Sequence, residues 1–160
     1  MKFLTFSAIG ALAVASAQAS TATPKRGFAT AMDFSNSTFS SLERRDRATW
    51  YNGADLKHAA CYGRKGLPKY SAHEDDMVGA MAMKGYEQCY KCMKITNEKH
   101  KNRHIVVKIV DQCAGCKRNK HIDLTPRAFK KLADLNDGIV EISWKEVDCP
   151  HGVGPKAGKA

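Results

Sequence analysis

Six cysteines crowd into one stretch of this chain, at positions 61, 89, 92, 113, 116 and 149, and none lies outside it. An even, closely spaced set leaves two kinds of small fold open: a domain stapled by disulfides, or one organised around thiolate-bound metal. Cys89-x2-Cys92 and Cys113-x2-Cys116 approximate a four-thiolate zinc pattern. The N-terminus decides between them. Lys2 is followed by an apolar, small-residue run from Phe3 to Ala19 that closes on Ala17-Gln18-Ala19, so residues 1–19 read as a secretory signal peptide. The run is too short to span a bilayer. Export to an extracellular location consumes free thiols, so three disulfides are expected, with no metal and no cofactor. Spacing alone leaves every pairing open.

Residues 20–45 are rich in Ser, Thr and Ala with no persistent apolar period, and read as a low-complexity segment and candidate propeptide. Lys25-Arg26 and Arg44-Arg45 are dibasic sites of the kind processing proteases cut. A cut after Arg45 would start the product at Asp46. Asn36-Ser37-Thr38 is an N-glycosylation acceptor. One domain follows over 46–150, large enough for a single modest core. Residues 151–160 form a Gly/Lys-rich tail. The net charge of the whole chain is +10, and 19 Lys/Arg against 14 Asp/Glu give residues 46–149 a smaller positive excess. A positive surface favours acidic polymers or charged walls. No helix-turn-helix, zinc-finger or aromatic RNA-binding motif accompanies it, so nucleic acid is not the expected partner.

Within the domain, Arg47-Ala48-Thr49-Trp50-Tyr51 is β-prone and precedes the turn pair Asn52-Gly53. Met77 to Met83 and Lys91 to Thr96 read as strands. Ile105 to Val110 is the clearest β segment, apolar except for Lys108 and therefore largely buried. Thr125-Pro126 opens a helix with a capping residue and a proline at its first position. Phe129, Leu132 and Ala133 give that helix one apolar face, and Gly138 suits its break. In the strand after it, Val140, Ile142 and Trp144 alternate with Glu141 and Ser143, which places Trp144 in the core. These segments predict a mainly β fold: a small barrel with one short helix.

Six motifs in order then resemble a known family. They are Ala48-Thr49-Trp50-Tyr51, Ala60-Cys61-Tyr62-Gly63, Cys89-x2-Cys92, Val110-Asp111, His121-Ile122-Asp123-Leu124-Thr125 and Trp144-Lys145-Glu146-Val147-Asp148-Cys149-Pro150. The stretch resembles expansin-like and loosenin-type domains, relatives of barwin and of the rare lipoprotein A type domain. The resemblance implies a six-stranded double-psi β-barrel with a shallow groove for extended polysaccharide. It implies that Thr49, Asp111 and Asp123 line the groove floor, and that Cys61 pairs with Cys89 and Cys92 with Cys149, leaving Cys113 for Cys116. It also implies that Asp111 sits close to Asp123, and that His121 orients Asp123. Trp50, Tyr51 and Tyr62 are the carbohydrate-binding candidates, with Tyr86 and Tyr90 as further aromatics.

Glycoside hydrolysis requires two carboxyl groups, one to protonate the leaving oxygen and one to activate water or attack the sugar. Asp123 resembles the general acid of related endoglucanases. The position of their base holds Asn52, whose amide cannot accept a proton usefully, and Asp55 lies three residues further on. A lone acid suffices for lytic transglycosylation, in which the sugar's own hydroxyl attacks. The expected function is a secreted, monomeric, non-hydrolytic protein that binds and loosens cell-wall polysaccharide (cellulose, chitin or peptidoglycan), with no membrane partner. The alternatives are a barwin-like protein-interaction module, such as a protease inhibitor or effector, and a lytic transglycosylase acting on peptidoglycan. In the interaction reading, the loops 63–70 and 117–120 carry the contacts.

Overall fold

The computed structural model describes residues 23–34, 55–56, 58–63 and 72–154. The fold is mainly β: a closed six-stranded barrel of the double-psi type with one short helix. Its barrel strands are β1 (Lys25–Ala31), β4 (Val78–Met81), β5 (Cys92–Asn97), β6 (His104–Gln112), β7 (His121–Leu124) and β8 (Ile139–Val147). The short strands β2 (Asp55–Leu56) and β3 (Ala72–His73) pair outside the barrel. Round the barrel the order is β1-β7-β4-β6-β5-β8. Two of the pairings, β1 with β7 and β4 with β6, are parallel.

β1 departs from the sequence reading. Residues 20–45 read as low complexity, and the domain was expected to begin at Asp46, yet Lys25–Ala31 pairs with both β7 and β8. Gly27 makes this possible. A Cβ there would lie 2.0 Å from the Lys120 carbonyl oxygen, so only glycine lets β1 run this close to the turn before β7. The amide of Phe28 then donates to that same oxygen at 2.8 Å. The expected strand at 47–51 lies outside the described residues, as do the leader, Asn36 and the end of the tail.

The other elements follow their periodicity. Ile105, Val107 and Ile109 point into the barrel with Ile95, Ile122, Leu124, Ile142 and Trp144, all buried. Trp144 is core, as its alternation with Ile142 and Val140 required. Each such side chain contributes roughly 1.5–3 kcal/mol by leaving water. The helix α1 (Pro126–Leu132) covers one end, burying Ala128, Phe129 and Leu132. Thr125 precedes it but does not cap it with its side chain. Its hydroxyl instead donates to the Asp76 carbonyl at 2.6 Å, tying the helix start to the loop before β4. Gly138, with φ of 65°, makes the turn into β8.

A second, smaller cluster lies outside the barrel wall: Met32, Leu56, Ala59, Ala72, Val78, Ala80, Val110, Cys113 and Cys116. A register shift in β4–β6 pairing explains its composition. Gly79 faces Ile109 and Ala80 faces Asp111, so Val110 is an extra residue in β6. Strict alternation would send Asp111 inward after Ile109. The bulge restores it to the outer face with Ala80.

Three disulfides join Cys61–Cys89, Cys92–Cys149 and Cys113–Cys116, the pairing the resemblance implied. Among the described residues no helix is long and apolar enough to cross a membrane.

Candidate functional site

Asp123 is central to the outer face. It lies in β7, a strand the sequence reading did not assign, and its side chain is buried. Its partner across the β1–β7 pair is Thr30, whose hydroxyl donates to Asp123 Oδ1. His121 lies two residues before Asp123 on the same face. Its Nε2 is 2.9 Å from Thr30 Oγ1 and 3.2 Å from Asp123 Oδ1. The imidazole nitrogen thus lies within hydrogen-bonding reach of both the Thr30 hydroxyl and the Asp123 carboxyl. His121, Thr30 and Asp123 therefore form one contiguous polar cluster.

The threonine beside Asp123 is Thr30. Thr49, expected from the resemblance to hold that place, lies outside the described residues, as do Trp50, Tyr51 and Asn52. Of Asp55 only the backbone is described.

Asp111 sits one strand beyond. Ala80 of β4 faces Asp123 on one side and Asp111 on the other. The two carboxylates therefore share a face and are separated by a single strand. Asp111 Oδ1 accepts the backbone N–H of Ala60 at 2.6 Å and that of Gln112 at 2.8 Å. This carboxylate is a structural clamp on the loop that holds Cys61.

The other oxygen of Asp123 lies 3.2 Å from Cys113 Sγ. That sulfur is bridged to Cys116 and has no proton to give, so this is a packing contact. Cys113, Cys116 and Asp123 converge closely enough to suggest a cation site. Bridged sulfurs, however, offer no thiolate to a metal.

In front of the carboxylate lies an open cleft floored by Thr30 and His121. Phe28 and Ile139 form its apolar walls, and both are exposed. Their places follow from register, since Phe28 faces His121 and Ile139 faces Thr30. Gly115, Lys117 and Lys120 complete the rim. Asn119, in the left-handed region at φ of 57°, shapes the basic turn, and Lys25 Nζ donates to its side chain at 2.8 Å. The site thus offers apolar surface, two ammonium groups and a hydrogen-bonded acid behind a hydroxyl and an imidazole.

Tyr62 and Tyr90 hold loops together. The Tyr62 hydroxyl accepts from the Ala72 amide at 2.8 Å, and Tyr90 donates to the Cys61 carbonyl at 3.0 Å. Burial pushes the Tyr62 phenol well above its ordinary range, against the opposing pull of that amide. Tyr86 packs against the barrel core, with its backbone in the left-handed region. Sequence reasoning missed Thr30, Phe28 and Ile139 as cleft residues. The available signal was Gly27-Phe28-Ala29-Thr30, a short β-prone run masked by its Ser/Thr-rich surroundings.

A family model described as "Lytic transglycolase", of the double-psi β-barrel type, matches residues 43–144. Expansin-like protein 3 of Dictyostelium discoideum is 38% identical over 80 residues, covering 46% of this chain and 23% of that protein. The papain inhibitor of Streptomyces mobaraensis is 47% identical over 49 residues, covering 30% of this chain and 34% of its own length. The chain therefore matches only about a quarter to a third of these curated relatives. Among solved structures, an aspartate-to-asparagine mutant of Clavibacter michiganensis expansin in complex with cellohexaose is similar, with a TM-score of 0.51 and 25% identity. That likeness covers 81% of this chain and 53% of the expansin.

Proposed function

The chain belongs to the lytic transglycolase family of double-psi β-barrels, and from that premise we propose that it is a secreted, expansin-like protein that binds cell-wall polysaccharide and loosens it without hydrolysis. One observation carries the reading. Asp123 meets the Thr30 hydroxyl and the His121 imidazole under the cleft, whereas Asp111 has an oxygen engaged by two backbone amides. Ordinary glycoside hydrolysis asks for an acid and a base, and Asp111 is already employed as a loop clamp.

The cleft suits a flat, extended glycan. Phe28 and Ile139 offer apolar surface to sugar ring faces, and Lys117 and Lys120 offer donors to hydroxyl or acidic substituents. The complex of the Clavibacter expansin with cellohexaose supports a β-glucan as ligand class. Loosening requires only that contacts to the protein replace contacts between chains, so no bond need break.

Lytic transglycosylation of peptidoglycan is the second reading, favoured by the family description and by the place of Asp123 behind the cleft. The papain inhibitor likeness supports a protein-binding role for the same barrel. One experiment separates the three. Wild type and Asp123→Asn are incubated with insoluble cellulose, chitin and peptidoglycan, and retention and product mass are scored. Retention with reducing sugar at background supports loosening. Anhydro-sugar products that vanish in D123N establish transglycosylation. Absence of retention together with tight papain binding unaffected by D123N establishes the inhibitor role.

A further inference from the structure

The wall of the barrel farthest from the cleft carries a like-charge pair. β5 is three strands from β7 whichever way round the ring is counted, so its outer face looks away from Asp123. On that face Lys94 of β5 is the register partner of Lys145 of β8, and both residues are exposed. Directly opposed residues of an antiparallel pair project to the same side, with Cβ atoms about 5 Å apart. Lys108 of β6 lies on the diagonal, because it faces Cys92, two residues before Lys94. Thr96 and His104, partners in the row on the other side of Lys94, add a hydroxyl and an imidazole.

The nearby carboxylates are committed elsewhere. Glu146 follows Lys145 in β8 but is turned to Lys91, whose Nζ is 3.0 Å from its Oε2. Glu98 lies just beyond the end of β5 and is held by Lys101 and Arg26. Among the described residues, Lys94 and Lys145 have no ion-pair partner. Like charges directly across a strand pair destabilise a sheet. The pair therefore weakens the fold on its own, and an anion laid across it removes the penalty.

We propose that this β8–β5–β6 face is a second docking surface, and that its occupant is a carboxylate-bearing polysaccharide such as a polyuronate. The outer wall of a closed barrel is convex, so it suits a long chain lying across strands better than a small enclosed ligand. The rows around Lys94 and Lys145 hold no Trp, Tyr or Phe. Neither a neutral sugar ring nor a nucleic-acid base therefore finds a stacking platform there. What the face does offer is charge, and lysine ammoniums attract carboxylates as point charges. The platform is also fixed in place. Cys92, in the row beside Lys94, is bridged to Cys149, and Gly154 brings the following segment so close that a Cβ there would meet Lys108 Cδ at 2.8 Å.

This face is separate from the cleft, so docking on it does not depend on what the cleft binds. One consequence does rest on the cleft reading above: a single barrel then holds an acidic chain on one wall and a neutral glycan on the other.

The test applies the full chain to immobilised polygalacturonate, with cellulose and immobilised duplex DNA in parallel, over a range of salt. Lys94→Glu and Lys145→Glu each turn the like-charge pair into an opposite-charge pair. Each is expected to weaken polygalacturonate retention several-fold at low salt, to leave cellulose retention unchanged, and to keep or raise the Tm. Added salt is expected to shrink the difference from wild type. A loss of binding without a loss of stability cannot come from unfolding. The double variant Lys94→Gln/Lys145→Gln, which removes the charges without adding a bridge, is expected to weaken retention likewise. D123N is expected to leave polygalacturonate retention intact, so failure of the cleft reading does not touch this one. Unchanged retention in the Glu and Gln variants, a Tm that falls together with retention, or tighter retention on duplex DNA than on polygalacturonate at the same salt overturns the proposal.

Discussion

Thr30 and Asp123 are register partners across the parallel β1–β7 pair, and the threonine hydroxyl donates to the carboxylate. The bond joins the first barrel strand to the acid of the candidate site. Replacing Thr30 by Val removes a donor from a buried carboxyl group, at a cost of about 1–3 kcal/mol. Thr30→Ser keeps the donor and is expected to recover most of the loss. Urea unfolding of the two variants measures the difference.

Gly79 makes a second support for Asp123. A Cβ there would lie 2.8 Å from the Asp123 carbonyl oxygen and 3.3 Å from the Leu124 side chain. Both neighbours belong to β7, and the nearer is backbone. Gly79→Ala is therefore expected to destabilise the fold by about 1–3 kcal/mol through overpacking. Thermal melting reads the loss, and weakened glycan retention would report that Asp123 had shifted.

The three disulfides differ in the loops they close. Cys92–Cys149 spans a sequence separation of 57, and Cys113–Cys116 a separation of 3. Constraint of the unfolded chain grows with loop length. Replacing Cys92 and Cys149 by Ala is expected to cost about 2–5 kcal/mol, and the Cys113/Cys116 pair clearly less. Denaturation of the two double variants gives the order directly.

Acid should loosen the start of β1 through Glu98. Lys101, 2.6 Å away, does most to hold this carboxyl below its ordinary range, with Ser143 next and Arg26 of β1 adding a smaller pull. A depressed folded pKa means that the stabilisation is present above the ordinary carboxylate range and is lost as pH falls through the folded value. Both cationic partners are exposed, so solvent screening keeps the effect small. Glu98→Gln is expected to flatten that part of the stability–pH curve, which melts across the acid range would show.

Charge on the rim gives a test of the cleft itself. Replacing both Lys117 and Lys120 by Glu is expected to weaken retention on acidic glycans several-fold, and added salt should shrink the difference between variant and wild type. Folding should be unaffected, because neither side chain is buried.

Much of this molecule could be read from residue order. Ile105 to Val110, the alternation around Trp144, and Thr125-Pro126 each declared an element through local periodicity or backbone chemistry. The disulfide pairing came from the resemblance, since spacing could not choose among the alternatives. β7 went unassigned because His121-Ile122-Asp123-Leu124 is only four residues long and its polar members face a covered surface. β1 was missed because a strand's fitness there depends on the absence of a Cβ beside Lys120, a tertiary fact. The burial of Asp111 on the outer face depends on the bulge at Val110, which no two-residue period announces.

The parallel pairing of β1 with β7 also orders events in time. Thr30 meets Asp123 across most of the barrel's sequence, and β1 meets β8 later still. A ribosome makes the first strand long before either neighbour exists. Contacts of such separation are slow to form, because a long loop must close before they reward it. Ring closure must therefore wait until β8 has been made, and the earliest strand synthesised is among the last to dock.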